Sequence, residues 1–134
     1  MIVRKDFRVT LPNEPGQLAR ICEALSVCGV NIRTIAGVAG TPPILAMVTD
    51  NESETRRVLH ALDLHYEETD LLLIRFNNNP GEIATFSKAL AEEGINVSAV
   101  YMLGETSGEG MIAFGVNDID KAKDIAVRMG NGID

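Results

Sequence analysis

Two stretches of this chain repeat one another 65 residues apart: Asn13, Pro15, Gly16, Ala19, Ala24, Leu25, Gly29 and Asn31 recur as Asn78, Pro80, Gly81, Ala84, Ala89, Leu90, Gly94 and Asn96. Eight identities in nineteen aligned positions stand against roughly one expected from residue frequencies. The chain is a tandem duplication, so a fold proposed for one half must also suit the other. Pro, Gly and Asn among the repeated residues fix turns and helix ends. What is repeated is two loops held at either end of a helix.

From Val3 to Leu11 the residues alternate, with Val3, Phe7 and Val9 on one face and Arg4, Asp6 and Arg8 on the other, which predicts a half-buried strand. Pro15 suits the first helical position, and Leu18, Ile21, Cys22 and Leu25 then follow a helical period up to a left-handed stop at Gly29. A strand through Val38, a turn at Gly40 to Pro43 and a strand from Ile44 to Thr49 predict a hairpin. Asn51 and Glu54 form a capping pair for a second helix carrying Val58, Leu59 and Leu62, and a fourth strand falls near Leu64 to Glu68.

The second copy runs in the same order. A strand covers Asp70 to Phe76, a helix opens at Pro80 and stops at Gly94, and a strand runs from Ile95 to Leu103. A Gly-rich turn through Gly104, Gly108 and Gly110 leads to a strand at Met111 to Val116, and a helix opened by Asn117 closes near Gly130. Too few residues follow for a fourth strand. Each half thus reads β-α-β-β-α-β, an α+β class of two ferredoxin-like modules with antiparallel sheets and helices on one face, the second lacking its last strand. Leu71 and Leu73 point away from the helices, so that face should be covered, and the open edge predicts a homodimer.

Asn13-Glu14-Pro15-Gly16 and Asn78-Asn79-Pro80-Gly81 each bridge a strand end and a helix start. With Pro as first helical residue, position 14 or 79 is the N-cap and Asn13 or Asn78 projects from the loop, able to donate and accept at once. The glycine bares the first helical turn, whose free N–H groups favour a carboxylate. Such a pocket suits an amino-acid zwitterion. Taken singly, the same residues also make a plain turn and cap. Gly29-Val30-Asn31 and Gly94-Ile95-Asn96 form the second repeated element, at the far end of the helix, so one half cannot easily bring both loops to one ligand.

With the Asn-x-Pro-Gly-x-Leu/Ile-Ala turn followed by Gly-Val/Ile-Asn-Ile/Val, each twice, the chain resembles the ACT domain, the small-molecule-binding regulatory module of amino-acid metabolism. The resemblance spans nearly the whole chain as two modules, residues 1–68 and 69–134. It implies a free amino acid bound where the strand-to-helix loop of one module meets the second strand of another. By position it implicates Asn13, Gly16, Gln17 and Leu18 in the first copy, and Asn78, Gly81, Glu82 and Ile83 in the second. Across the interface it implicates Asn31, Ile32, Asn96 and Val97. Modules of that family usually accompany a catalytic domain, but two copies use up this chain, which therefore reads as a stand-alone sensor without a cofactor, acting through a separate enzyme of amino-acid metabolism or a transporter, or as a simple amino-acid-binding protein. The short C-terminus departs from the family pattern.

Other classes fit poorly. A formal net charge of −7 repels nucleic acid and acidic membranes, no apolar run approaches the roughly 20 residues of a membrane span, and no signal peptide is evident, which places the chain in the cytoplasm. Cys22 and Cys28 are spaced for neither a disulfide nor a metal clamp. His60 and His65 have no counterparts in the other copy and no triad or ligand spacing around them, which argues against an enzyme. The acidic Glu67, Glu68 and Asp70 read as a solvated turn. The competing class is a regulatory or structural subunit that contacts a partner enzyme without binding a ligand.

Overall fold

The computed structural model describes residues 2–77, 79–106 and 108–130. They form six strands and four helices in the order β1 (Ile2–Thr10), α1 (Gln17–Val27), β2 (Ile32–Val38), β3 (Ile44–Thr49), α2 (Glu52–Ala61), β4 (Tyr66–Asn77), α3 (Glu82–Glu92), β5 (Val97–Thr106), β6 (Glu109–Val116) and α4 (Ile119–Arg128). The α+β class and the antiparallel ferredoxin-like arrangement expected from the sequence are present.

Two compact units divide the chain, one of residues 5–69 and the other of residues 70–130 together with residues 2–4. In the first, the strand order is β2-β3-β1-β4. Phe7 faces Met47 and Val9 faces Leu45 across β1 and β3, and these side chains close a core with Ile21 and Leu25 of α1 and Val58 and Leu59 of α2. Asn51 caps α2 as expected, its Oδ1 accepting from Glu54 N–H at 3.1 Å. Behind it, Thr49 and Thr55 hydroxyls meet at 2.7 Å in a fully buried pair, and Thr55 also donates to the Asn51 carbonyl.

The second unit has the order β1-β4-β6-β5. Leu72, Ile74 and Phe76 of β4 pack with Ile112 and Phe114 of β6, Phe86 and Leu90 of α3, and Ala122, Ile125 and Ala126 of α4. Phe76, Phe86 and Phe114 form a triangle of rings with centroids 5.1 to 6.2 Å apart, within the range of favourable tilted aromatic contacts. Val3 packs against this second core, and β1 takes the place beside β4 that a fourth strand would fill. The edge the sequence leaves open is therefore filled by the chain's own first residues. A second subunit is not needed to close it.

Three expectations change. The acidic stretch Glu67, Glu68 and Asp70 is not a turn: it lies inside β4, one strand of 12 residues where two were expected. The strand accommodates the acidic residues because Glu67 and Asp70 are exposed while Glu68 accepts a two-pronged hydrogen bond from Arg56 Nε at 2.8 and 2.9 Å, the main cause of the raised Arg56 pKa. The Gly104 to Gly110 turn is also shorter than expected, because β5 and β6 extend to Thr106 and from Glu109, with a register shift between Met102 and Glu105. Finally, Asp6 on the polar face of β1 is 0% exposed, bonded to Arg8 Nε at 3.0 Å. Leu71 and Leu73, on the β4 face away from the helices, are buried as well.

Residues 2–4 should matter to the second unit more than to the first. Val3→Ala should cost roughly 1 kcal/mol, from about 0.8 kcal/mol per buried methylene, and should lower amide-exchange protection in β4, β5 and β6. Loss confined to β2 and β3 would contradict this assignment.

Candidate functional site

The two repeated turns have one backbone design, and it differs from the expected one. Pro15 and Pro80 are not the first helical residues. The helices start at Gln17 and Glu82, with Gly16 (φ 90°, ψ −3°) and Gly81 (φ 92°, ψ −9°) as left-handed N-caps. Pro followed by a residue near φ +80°, ψ 0° is the central pair of a type II turn, closed in the second copy by Glu82 N–H donating to Asn79 C=O at 3.3 Å. A Cβ would meet no atom within 4 Å at either glycine. Backbone conformation, not crowding, requires Gly there.

The consequence is a helix start without a side-chain cap. Neither α1 nor α3 has one, whereas α2 is capped by Asn51 and α4 by Asp118. Asp118, not Asn117, holds the cap of α4, accepting from Lys121 N–H at 3.1 Å. An α-helix leaves its first N–H groups without intrahelical partners, so the uncapped starts keep donors and the positive end of the helix dipole available to an anion.

At the second turn these donors adjoin a cleft of about 240 Å³ within the second unit, lined by Phe76, Asn77, Asn79 to Ala84, Met102, Gly110 and Ile112. The register explains its shape: Phe76 faces Gly110, and Met102 faces Ile112. Glycine at position 110 leaves room over the strand end, while Met102 and Ile83 form walls that are 52% and 40% exposed despite being apolar.

The predicted residues distribute unevenly. Gly81, Glu82 and Ile83 line the cleft. Asn78 lies outside the described residues. Asn13 is exposed between Pro12 and Glu14, whose C=O and N–H close a three-residue turn at 2.9 Å. Leu18 is exposed, and Gln17 carries a buried Oε1 that has no hydrogen-bond partner. Glu82 stands at the corresponding position, so both turns place an acceptor oxygen on the first helical residue.

Asn31, Ile32, Asn96 and Val97 lie at the other end of the eleven-residue helices α1 and α3, about 16 Å away at 1.5 Å per residue. Asn31 and Asp50 are joined by two hydrogen bonds, from Asn31 N–H to Asp50 Oδ1 and from Asp50 N–H to Asn31 C=O. Asn96 and Asn117 make the same pair. Their main chains tie a strand start to the turn before the next helix. Ile32 and Val97 pack against the cores of their own units.

Phe76, Asn77, Asn79, Met102, Gly110 and Ile112 were not anticipated. Periodicity places Met102 on a strand but does not give the strand register, which is what brings it opposite Ile112 and beside Ile83. Among the described residues, no group of three or more His, Cys, Asp or Glu could hold a metal ion, and no helix is long and apolar enough to cross a membrane.

No family model and no curated protein matches the sequence. Solved structures share the fold. A protein of Bacteroides thetaiotaomicron superposes with a TM-score of 0.87 at 19% identity, over 97% of this chain and 90% of that one. The ligand-free regulatory subunit of aspartate kinase from Thermus thermophilus gives 0.65 at 15% identity, over 94% and 91%. That from Thermus flavus gives 0.67 at 15%, over 94% and 88%. These are likenesses of fold, shared among others with the regulatory subunits of aspartate kinase.

Gly81→Ala should destabilise the protein by about 1 to 2 kcal/mol, the cost of a left-handed non-glycine residue, in urea unfolding. An unchanged midpoint would show that the turn can relax out of its positive φ.

Proposed function

We propose that this chain is a non-catalytic, cytoplasmic regulatory protein of two ACT modules that binds a free amino acid at the Pro80-Gly81 turn of the second module. The observation that carries the reading is the cleft beside an uncapped helix start. The free N–H groups of α3 receive the carboxylate, and the Glu82 carboxylate receives the ammonium. Gln17 Oε1, buried and unpartnered, offers the same acceptor chemistry at the first turn. By likeness to the aspartate kinase regulatory subunits, the response is passed to a separate enzyme of amino-acid metabolism.

The reading in which the chain contacts its partner without a ligand draws on the outermost strands, where Ile35 and Val38 of β2 and Val100 of β5 are exposed. A screen of the twenty amino acids by thermal unfolding separates the two. A ligand at 100 times its Kd adds about 2.7 kcal/mol of stability, and Ile83→Asp, which puts a carboxylate into the apolar wall of the cleft, should abolish the shift. If no amino acid raises the melting temperature, the ligand-free reading stands.

A homodimer belongs to the same proposal. β5 is an edge strand with no charged residue from Val97 to Leu103, and such edges invite pairing. Sedimentation should give twice the 14.5 kDa chain mass, and Val100→Lys should return the monomer. A monomeric unmodified protein would remove this part of the proposal.

A further inference from the structure

Resting on the amino-acid reading of the second-module cleft, we infer that this cleft selects an amino acid with an uncharged, apolar side chain, of the leucine, isoleucine, valine or methionine class, and that Met102 is a specificity-determining residue. Size comes first. A volume of about 240 Å³ lies below the roughly 300 to 1,000 Å³ of clefts for drug-sized ligands, which suits a single amino acid.

The lining then divides by chemistry. Its polar groups gather at the turn, where the α3 N–H groups and the Glu82 carboxylate can serve both charges of the zwitterion's head. The remaining lining is apolar except for Asn77 at the end of β4, and its large side chains are Phe76, Ile83, Met102 and Ile112. A side chain directed from the head into those walls meets carbon and sulfur. A second ammonium, guanidinium or carboxylate there would lose its water without gaining an ionic partner, a cost that apolar side chains do not incur. Ile83 and Met102 themselves gain cover when the site fills, at 40% and 52% exposure without ligand. Apolar side chains exposed around a concavity are a common mark of a ligand surface.

The duplication singles out Met102. At the same register in the first unit, Gly37 faces Leu45 as Met102 faces Ile112. Leu11, Leu18 and Leu45 stand there for Phe76, Ile83 and Ile112, so the apolar character is kept in three of four positions and the fourth wall is absent. The difference between the modules lies in the side chain that encloses the ligand's far end.

The test is calorimetric titration of the full chain with leucine, isoleucine, valine, methionine, lysine, arginine, aspartate, glutamate and threonine, repeated on Met102→Ala. The apolar group should bind and the charged group should not. Met102→Ala should weaken the apolar ligands about tenfold while the unliganded protein stays folded with its melting temperature lowered only slightly, because Met102 is 52% exposed. Lysine, threonine or an acidic amino acid binding best would overturn the selectivity and leave the amino-acid reading standing. Binding by none would overturn both. Undiminished apolar affinity in a folded Met102→Ala protein would remove Met102 from the site.

Discussion

A left-handed glycine at each end of one helix holds the plan of both modules. At the C-terminal end, Gly29 and Gly94 have φ of 72° and 74° and build Schellman motifs. Val30 N–H reaches Leu25 C=O at 2.9 Å and Ile95 N–H reaches Leu90 C=O at 3.0 Å, and each pair also shares a buried core, the hydrophobic contact that accompanies this motif. At the N-terminal end, Gly16 and Gly81 complete the turn from strand to helix. Both helices are thereby cut to eleven residues. Helix length in turn fixes where the bare N–H groups stand relative to the strand ends.

Capping separates structural helix starts from available ones. A side-chain cap contributes about 1 kcal/mol, and this chain uses one at α2 and at α4. It forgoes one at α1 and α3, in both copies, although Thr85 stands nearby and turns its hydroxyl back to the Gly81 carbonyl at 2.9 Å. An Asn, Asp or Ser at the glycine position would bond the very N–H groups that an anion needs. The uncapped start forgoes intrinsic helix stability, a loss that the anion of the proposed ligand would recover.

Much of this was legible because duplication makes weak signals count twice. The glycine stops, the Asn51 cap and the buried Ile21 and Leu25 of α1 and Val58 and Leu59 of α2 depend on near neighbours in sequence, and there periodicity suffices, although it also places the exposed Leu18 on the inner face of α1. What failed depended on pairing. One strand from Tyr66 to Asn77 reads as two because its acidic residues resemble a turn when the partner Arg56 is unknown. The service of residues 2–4 to the second unit is equally hidden, since alternation across β1 is continuous and nothing local marks where one unit ends. The Pro-Gly turn was recognised, but its helix start was placed early, because Pro at the first helical position and Pro before a left-handed glycine are the same two letters.

The site follows the same division. Gly81, Glu82 and Ile83, which the family resemblance implicates, line the cleft, whereas Phe76, Met102 and Ile112 come together only through strand register. This has a chemical consequence. The uncapped N–H donors and the acceptor oxygen on the first helical residue, to which the proposal assigns the ligand's head, are shared by both copies and are encoded locally. The side-chain pocket is encoded by residues from three strands and differs between copies, most plainly where Gly37 replaces Met102. On the proposed reading, a duplicated module keeps its grip on the constant part of an amino acid while its walls change independently, and the variable part of the ligand would be read by the residues least constrained by the repeat.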